Sequence, residues 1–195
     1  MVRIGIFGGT FNPIHLGHLL FAETARESLA LDRIVFIPAR QPPHKAPKHL
    51  LPGAVRFELV QLAVRDHPAF VASDIELQRP GKSYSIDTAK ALRQQLPKAA
   101  LFLLIGQDML SVPWLAWKEL QRLCTVVVAR RPGSRKASGA RQARVKWLDM
   151  PQIDISSSDI RRRVAAGGSI RYLVPAAVAR EIQQRGLYRK GGSSS

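Results

Sequence analysis

The feature that most restricts the fold lies at the start of the chain, where an apolar run over residues 2–7 ends on Gly8-Gly9. An apolar run closed by glycines reads as a buried strand feeding a tight turn. A helix is expected next, over residues 16–29, so the chain opens as strand, turn, helix. The alternation then continues. Strands are expected at residues 33–38, 70–77, 100–105 and 125–129, with helices at 55–66, at 85–96 and from Trp114 onward. Residues 145–148 supply one more candidate strand. A helix should begin at Ile155-Ser156-Ser157-Ser158-Asp159-Ile160-Arg161, whose serines are N-cap candidates. A last helix opens at Pro175, a position that tolerates the missing N–H. Such alternation specifies an α/β architecture. The expected fold is a doubly wound parallel sheet flanked by helices, with a C-terminal helical portion and ligands at the carboxyl ends of the strands.

Length and composition set the bounds. The 195 residues, 46% of them hydrophobic, suit one domain spanning residues 1–190, with 191–195 as a disordered tail or cloning remnant. Two connections stand out: a Pro-rich, basic loop at residues 40–52 and an Arg-, Gly- and Ser-rich stretch at 130–144. The apolar stretches are far shorter than the roughly 20 residues a membrane-spanning helix needs. The first residues carry no secretory signal, and a cytoplasmic protein without membrane contact is expected. The one cysteine, Cys124, opens an apolar run and reads as a buried core thiol.

Charge narrows the partners. Thirty Lys and Arg against 14 Asp and Glu leave 30 − 14 = +16, an excess suited to phosphates on nucleic acid or on small molecules. The basic segments lack interleaved aromatics and no nucleic-acid module is recognisable, so no specific nucleic acid is expected.

Chemistry concentrates in Gly8-Gly9-Thr10-Phe11-Asn12-Pro13-Ile14-His15-Leu16-Gly17-His18. Glycines after a strand let the backbone approach a phosphate, and the following helix turns its free N–H groups and positive dipole end toward the same point. His15 and His18, spaced by three, project from one face of the helix start, and Gly17 between them is expected to clear space for a triphosphate.

That run resembles the T/HxGH signature of the nucleotidyltransferase superfamily, whose fold is Rossmann-like. Pro42-Pro43-His44-Lys45, Ser83-Tyr84-Ser85-Ile86-Asp87-Thr88, Ile105-Gly106-Gln107-Asp108 and the late segment ending at Arg161, similar to an ISSxxIR motif, extend the resemblance over nearly the whole chain. Within the superfamily they resemble the bacterial nicotinate-mononucleotide adenylyltransferases. The shorter phosphopantetheine adenylyltransferases share only the first and last of these signals and form the second reading.

The resemblance implies transfer of AMP from ATP to nicotinate mononucleotide, giving nicotinate adenine dinucleotide and pyrophosphate in NAD biosynthesis. It implies Mg²⁺ held mainly through the ATP phosphates, with no metal site built from side chains. Gly8, Gly9, Thr10 and Phe11 would frame the phosphate loop, with His15 and His18 on the α- and β-phosphates. Ser157 and Arg161 would form the opposite wall, and Arg130 would lie beside the adenine. His15, His18 and Arg161 would be the catalytic set. For the mononucleotide, His44 and Lys45 would meet its phosphate, Tyr84 and Ser85 would flank its carboxylate, and Asp108 would approach the ribose or a metal-bound water. The segment after Asp108 is two residues shorter than the family's, so the ring would stack on Trp114 by motif or on Trp117 by distance from Asp108.

Overall fold

The computed structural model describes residues 1–43, 50–130, 144–151 and 153–189. Six strands, β1 (Arg3–Gly9), β2 (Arg33–Pro38), β3 (Phe70–Ala72), β4 (Ala100–Gly106), β5 (Thr125–Arg130) and β6 (Val145–Asp149), form one sheet in the order β3-β2-β1-β4-β5-β6. Every pairing is parallel. The strand order reverses between β1 and β4, which opens a crevice at their carboxyl ends.

The central strands β1, β2, β4 and β5 are largely buried on both faces, and their side chains alternate between two cores. Ile4 and Ile6 of β1, Leu101, Leu103 and Ile105 of β4, and Val126 and Val128 of β5 pack on one side with α3 (Ser85–Gln95) and α4 (Trp117–Leu123). Phe7, Phe36, Phe102, Leu104 and Val127 face the other side. There they meet α1 (Leu16–Ser28), α2 (Gly53–Val64), α5 (Ser157–Ala165) and α6 (Ala176–Gln184). Because the side-chain period is two, a slip of one residue in any of these strands would exchange the two faces. With full burial of each large apolar side chain worth about 1.5–3 kcal/mol, the register is fixed many times over.

Two expected elements are corrected. The strand expected over residues 70–77 stops at Ala72, because the carbonyl of Asp74 captures the N–H groups of Leu77 (2.7 Å) and Gln78 (3.2 Å) and closes a turn. The helix expected from Trp114 begins at Trp117, behind Ala116 in the left-handed region at φ 51° and ψ 43°. A 3-10 helix, Gln107–Ser111, fills the space between β4 and that turn. Among the described residues, no helix is long and apolar enough to cross a membrane.

Candidate active site

The site grows from the end of β1. Around the position a Cβ would take on Gly8 there is no heavy atom within 4 Å, so the backbone there is open to a ligand. A Cβ on Gly9 would lie 2.9 Å from the ring of Phe11. Phe11 takes φ 46° and is buried, with its ring edge-on to Phe7 (5.6 Å) and His18 (5.1 Å). It supports the loop from beneath.

His15 is the N-cap of α1, and its ring stacks on that of His18 with centroids 3.6 Å apart. The main-chain N–H of His15 donates to Nδ1 of His18 at 3.2 Å. A neutral ring that accepts at Nδ1 carries its proton on Nε2, which is then a donor. Burial pulls His15 down to about 4, and burial followed by the neighbouring His15 holds His18 well below 6.5. Both rings are therefore neutral near pH 7, and the buried Nδ1 of His15 has no hydrogen-bond partner among the described residues. The first turn of α1 contains no acidic residue, which leaves its dipole to an anionic ligand.

A Cβ on Gly17 would lie 3.1 Å from Nδ1 and 3.2 Å from Cε1 of His15. Gly17 was expected to clear room for a triphosphate; the space it leaves is occupied by the His15 ring.

The opposite wall arrives from the end of the chain. Ser157 Oγ donates to the carbonyl of Pro13 at 2.9 Å, and Arg161 Nη1 donates to the carbonyl of Asn12 at 2.8 Å. The two residues expected on this wall thus lock α5 onto the loop between β1 and α1. Arg162 pairs with Asp159 at 2.6 Å on the exposed face of α5. Asn12 ties further segments together, since its Oδ1 accepts from the N–H of Leu51 (3.3 Å) and from the Tyr188 hydroxyl (2.9 Å). Burial pushes the Tyr188 phenol up, against the pull of the Arg161 and Arg56 charges, so it serves as a neutral donor.

On the acceptor side, Ser83 Oγ accepts from the N–H of Arg40 at 2.9 Å and its own N–H donates to Gln41 at 3.0 Å. Tyr84 and Ser85, at the start of α3, are thereby fastened beside the exit of β2. Thr88 Oγ1 donates to the buried Glu76 at 2.6 Å and accepts from Arg79 at 2.7 Å, which holds α3 from below. Asp108 is exposed in the 3-10 helix, and a Cβ on Gly106 would lie 2.5 Å from its Oδ1. Trp114 and Trp117 form a tilted pair, centroids 5.2 Å apart, packed against the α3 side of the sheet. Trp114 Nε1 donates to the carbonyl of Met109 at 2.7 Å. Arg130, expected beside the adenine, is turned toward Asp149 (3.4 Å) and lies over the Trp147 ring (5.3 Å). His44 and Lys45 lie outside the described residues.

The arrangement offers hydrogen-bond donors and cations rather than a nucleophile. The Cys124 thiol is buried and pushed up to about 12, which keeps it protonated and inert. Three residues that hold the site together were not anticipated: Asn12, Arg56 and Tyr188. Arg56 left one weak signal, as the single cation in the otherwise largely apolar α2, which also carries Glu58.

A doubly wound sheet with paired histidines at its first helix, and an arginine of a late helix bonded to the loop that precedes them, is the arrangement of a nucleotidyltransferase. Residues 6–163 match the cytidylyltransferase-like family. The probable nicotinate-nucleotide adenylyltransferase of Thermus thermophilus is 46% identical over 191 residues, covering 96% of this chain and 100% of that one. Its counterpart in Geobacter sulfurreducens is 41% identical over 216 residues, covering 98% and 100%. The chain belongs to the nicotinate-nucleotide adenylyltransferase family. Solved structures share the fold. The Plasmodium falciparum nicotinic acid mononucleotide adenylyltransferase complexed with NaAD superposes with a TM-score of 0.75 at 18% identity, covering 96% of this chain and 98% of that one. The complex of the same enzyme with APC gives 0.75 at 17% identity, again covering 96% and 98%.

Proposed function

We propose that this enzyme transfers AMP from ATP to nicotinate mononucleotide, releasing pyrophosphate and forming nicotinate adenine dinucleotide. One observation carries the residue assignment: two stacked, neutral histidines face a loop that Arg161 grips from the other side. A phosphate oxygen of the mononucleotide attacks the α-phosphorus of ATP, a bond forms through a pentavalent centre, and the bond to pyrophosphate breaks. No covalent enzyme intermediate is needed, so positioning and charge stabilisation dominate, with orientation supplying roughly 7 to 11 kcal/mol.

His18 donates through Nε2 to the phosphate oxygens as charge develops, and the arriving triphosphate raises the basicity of both rings. Ser157 and Arg161 hold the triphosphate from the α5 side, and the open backbone at Gly8 admits it. The donor set of His, Ser and Arg fits phosphate oxygens rather than a metal. Mg²⁺ would be held by the phosphates themselves rather than by side chains, and would supply neutralisation of charge on the leaving pyrophosphate. Lys45 and His44 take the mononucleotide phosphate, with Tyr84, Ser85 and Asp108 around the remaining groups. The binding of NaAD and of APC by the Plasmodium falciparum relative supports these two substrates. The reaction's demand for ATP and a single unpaired cysteine support a cytoplasmic setting.

The test is pyrophosphate release from ATP and Mg²⁺ with nicotinate mononucleotide, its amide and phosphopantetheine offered separately. Turnover is expected on the first and much less on the others. Turnover confined to phosphopantetheine would overturn the acceptor assignment, and none on any would overturn the reading.

A further inference from the structure

Arg56 has no accessible surface, and its guanidinium is spent entirely on main-chain carbonyls. Nε donates to Leu51 (2.9 Å), Nη1 to Thr10 (2.7 Å), and Nη2 to Ala39 (2.6 Å) and Arg40 (3.4 Å). All 14 acidic residues of the chain fall among those described, and none forms an ion pair with it. Glu58, on the same helix, pairs with Arg185 instead. A buried cation without a carboxylate is costly, and a core that needed only volume there would be better served by an apolar side chain. What a guanidinium adds is a rigid fork of donors, and these close on three separate segments.

Those segments belong to, or adjoin in sequence, the two substrate sites proposed above. Thr10 belongs to the phosphate loop, Ala39 and Arg40 follow β2, and Leu51 ends the connection that carries His44 and Lys45. The N–H of Leu51 in turn donates to Asn12 Oδ1, whose main-chain carbonyl receives Arg161. With their carbonyls on one cation, the phosphate loop and the mononucleotide side cannot shift independently.

We propose that Arg56 is the positioning residue that sets the distance between the two substrate sites, by clamping the carbonyls of Thr10, Ala39, Arg40 and Leu51 to one guanidinium. The inference rests on the acceptor assignment made above. It predicts that loosening the clamp misaligns the attacking phosphate, and misplacement by about 1 Å can cost roughly a hundredfold in rate.

The experiment is steady-state kinetics of Arg56→Lys and Arg56→Met, each substrate varied in turn, at a temperature where circular dichroism shows both variants folded. Arg56→Met should lower kcat and raise the KM for nicotinate mononucleotide about tenfold, with a smaller change for ATP, which keeps Ser157 and Arg161. Arg56→Lys, which keeps the charge but not the fork, should recover part of the loss. A merely structural role would lower Tm and leave both Michaelis constants of the folded enzyme unchanged, and that result overturns the proposal. Failure of both variants to fold overturns it too, because Arg56 would then belong to the core rather than to the loops. Absence of wild-type turnover on nicotinate mononucleotide would instead sink the acceptor assignment, so the two failures are distinguishable.

Discussion

The main-chain N–H of His15 donates to Nδ1 of His18 at 3.2 Å, across one turn of α1, and this bond decides which nitrogen of His18 carries the proton. With Nδ1 occupied as an acceptor, the hydrogen sits on Nε2, the nitrogen proposed to donate to the phosphates. The helix start thus supplies an oriented donor rather than a freely flipping ring. Loss of one such donor in a preorganised site costs about 10²–10³ in kcat. His18→Ala should therefore fall by about that factor while its circular dichroism spectrum stays that of the wild type, and an unchanged kcat would remove His18 from the mechanism.

The low basicity of His15 has a consequence for stability. Its ring titrates at about 4 in the folded protein against an ordinary 6.5. Between those values the unfolded chain binds a proton that the folded chain refuses, so stability is lost as pH falls from 6.5 toward 4, by about 3 kcal/mol over the full interval. Glu76 acts in the opposite sense, since burial pushes its carboxyl up from 4.5 and the folded state takes its proton first. Urea unfolding of wild type and His15→Gln across this range separates the two. The wild type should lose more stability on acidification than the variant, and parallel curves would show that the His15 ring is not held neutral.

The tryptophan pair yields a division of labour. Trp114 is held by its bond to Met109, whereas the buried Nε1 of Trp117 has no hydrogen-bond partner among the described residues. A ring fixed in orientation is a preorganised platform, and base stacking on an aromatic is worth about 1–3 kcal/mol. Trp114→Leu should raise the KM for nicotinate mononucleotide with little change for ATP, and Trp117→Leu should chiefly lower Tm. The reverse pattern would assign the stacking role to Trp117.

Much of this was legible in the sequence, for a physical reason. Strands of a parallel sheet are buried on both faces, so β1, β2, β4 and β5 read as continuous apolar runs stopped by Gly, Pro or charge. Residues 73–77 misled because Ser73-Asp74-Ile75-Glu76-Leu77 alternates like a strand, while the carbonyl of Asp74 turns the chain away. Nothing in the identity of Ala116 announces a left-handed residue, and α4 starts late for that reason. At the site, Gly8 to His18 could be read directly because its parts are neighbours in sequence. Ser157 and Arg161 could be found only through a motif, since the atoms they bind lie 144 and 149 residues earlier. Arg56 and Asn12 escaped because much of what they do runs through main-chain atoms, which leave little side-chain pattern to find.

Gly17 brings stability and activity into opposition. Gly→Ala inside a helix ordinarily gains about 1 kcal/mol, through lower entropy in the unfolded chain. Here the new methyl would lie 3.1 Å from Nδ1 of His15, closer than ordinary van der Waals contact. The His15 ring cannot retreat freely, because its other face stacks on His18 at 3.6 Å. Overpacking of this kind costs about 1–3 kcal/mol, so the two effects largely offset and Tm should change little. The displacement falls on the proposed catalytic pair, however, and kcat should drop by about tenfold or more. A Gly17→Ala enzyme that is more stable and fully active would show that the ring has room to move, and that the close stacking of His15 on His18 is not what sets the rate.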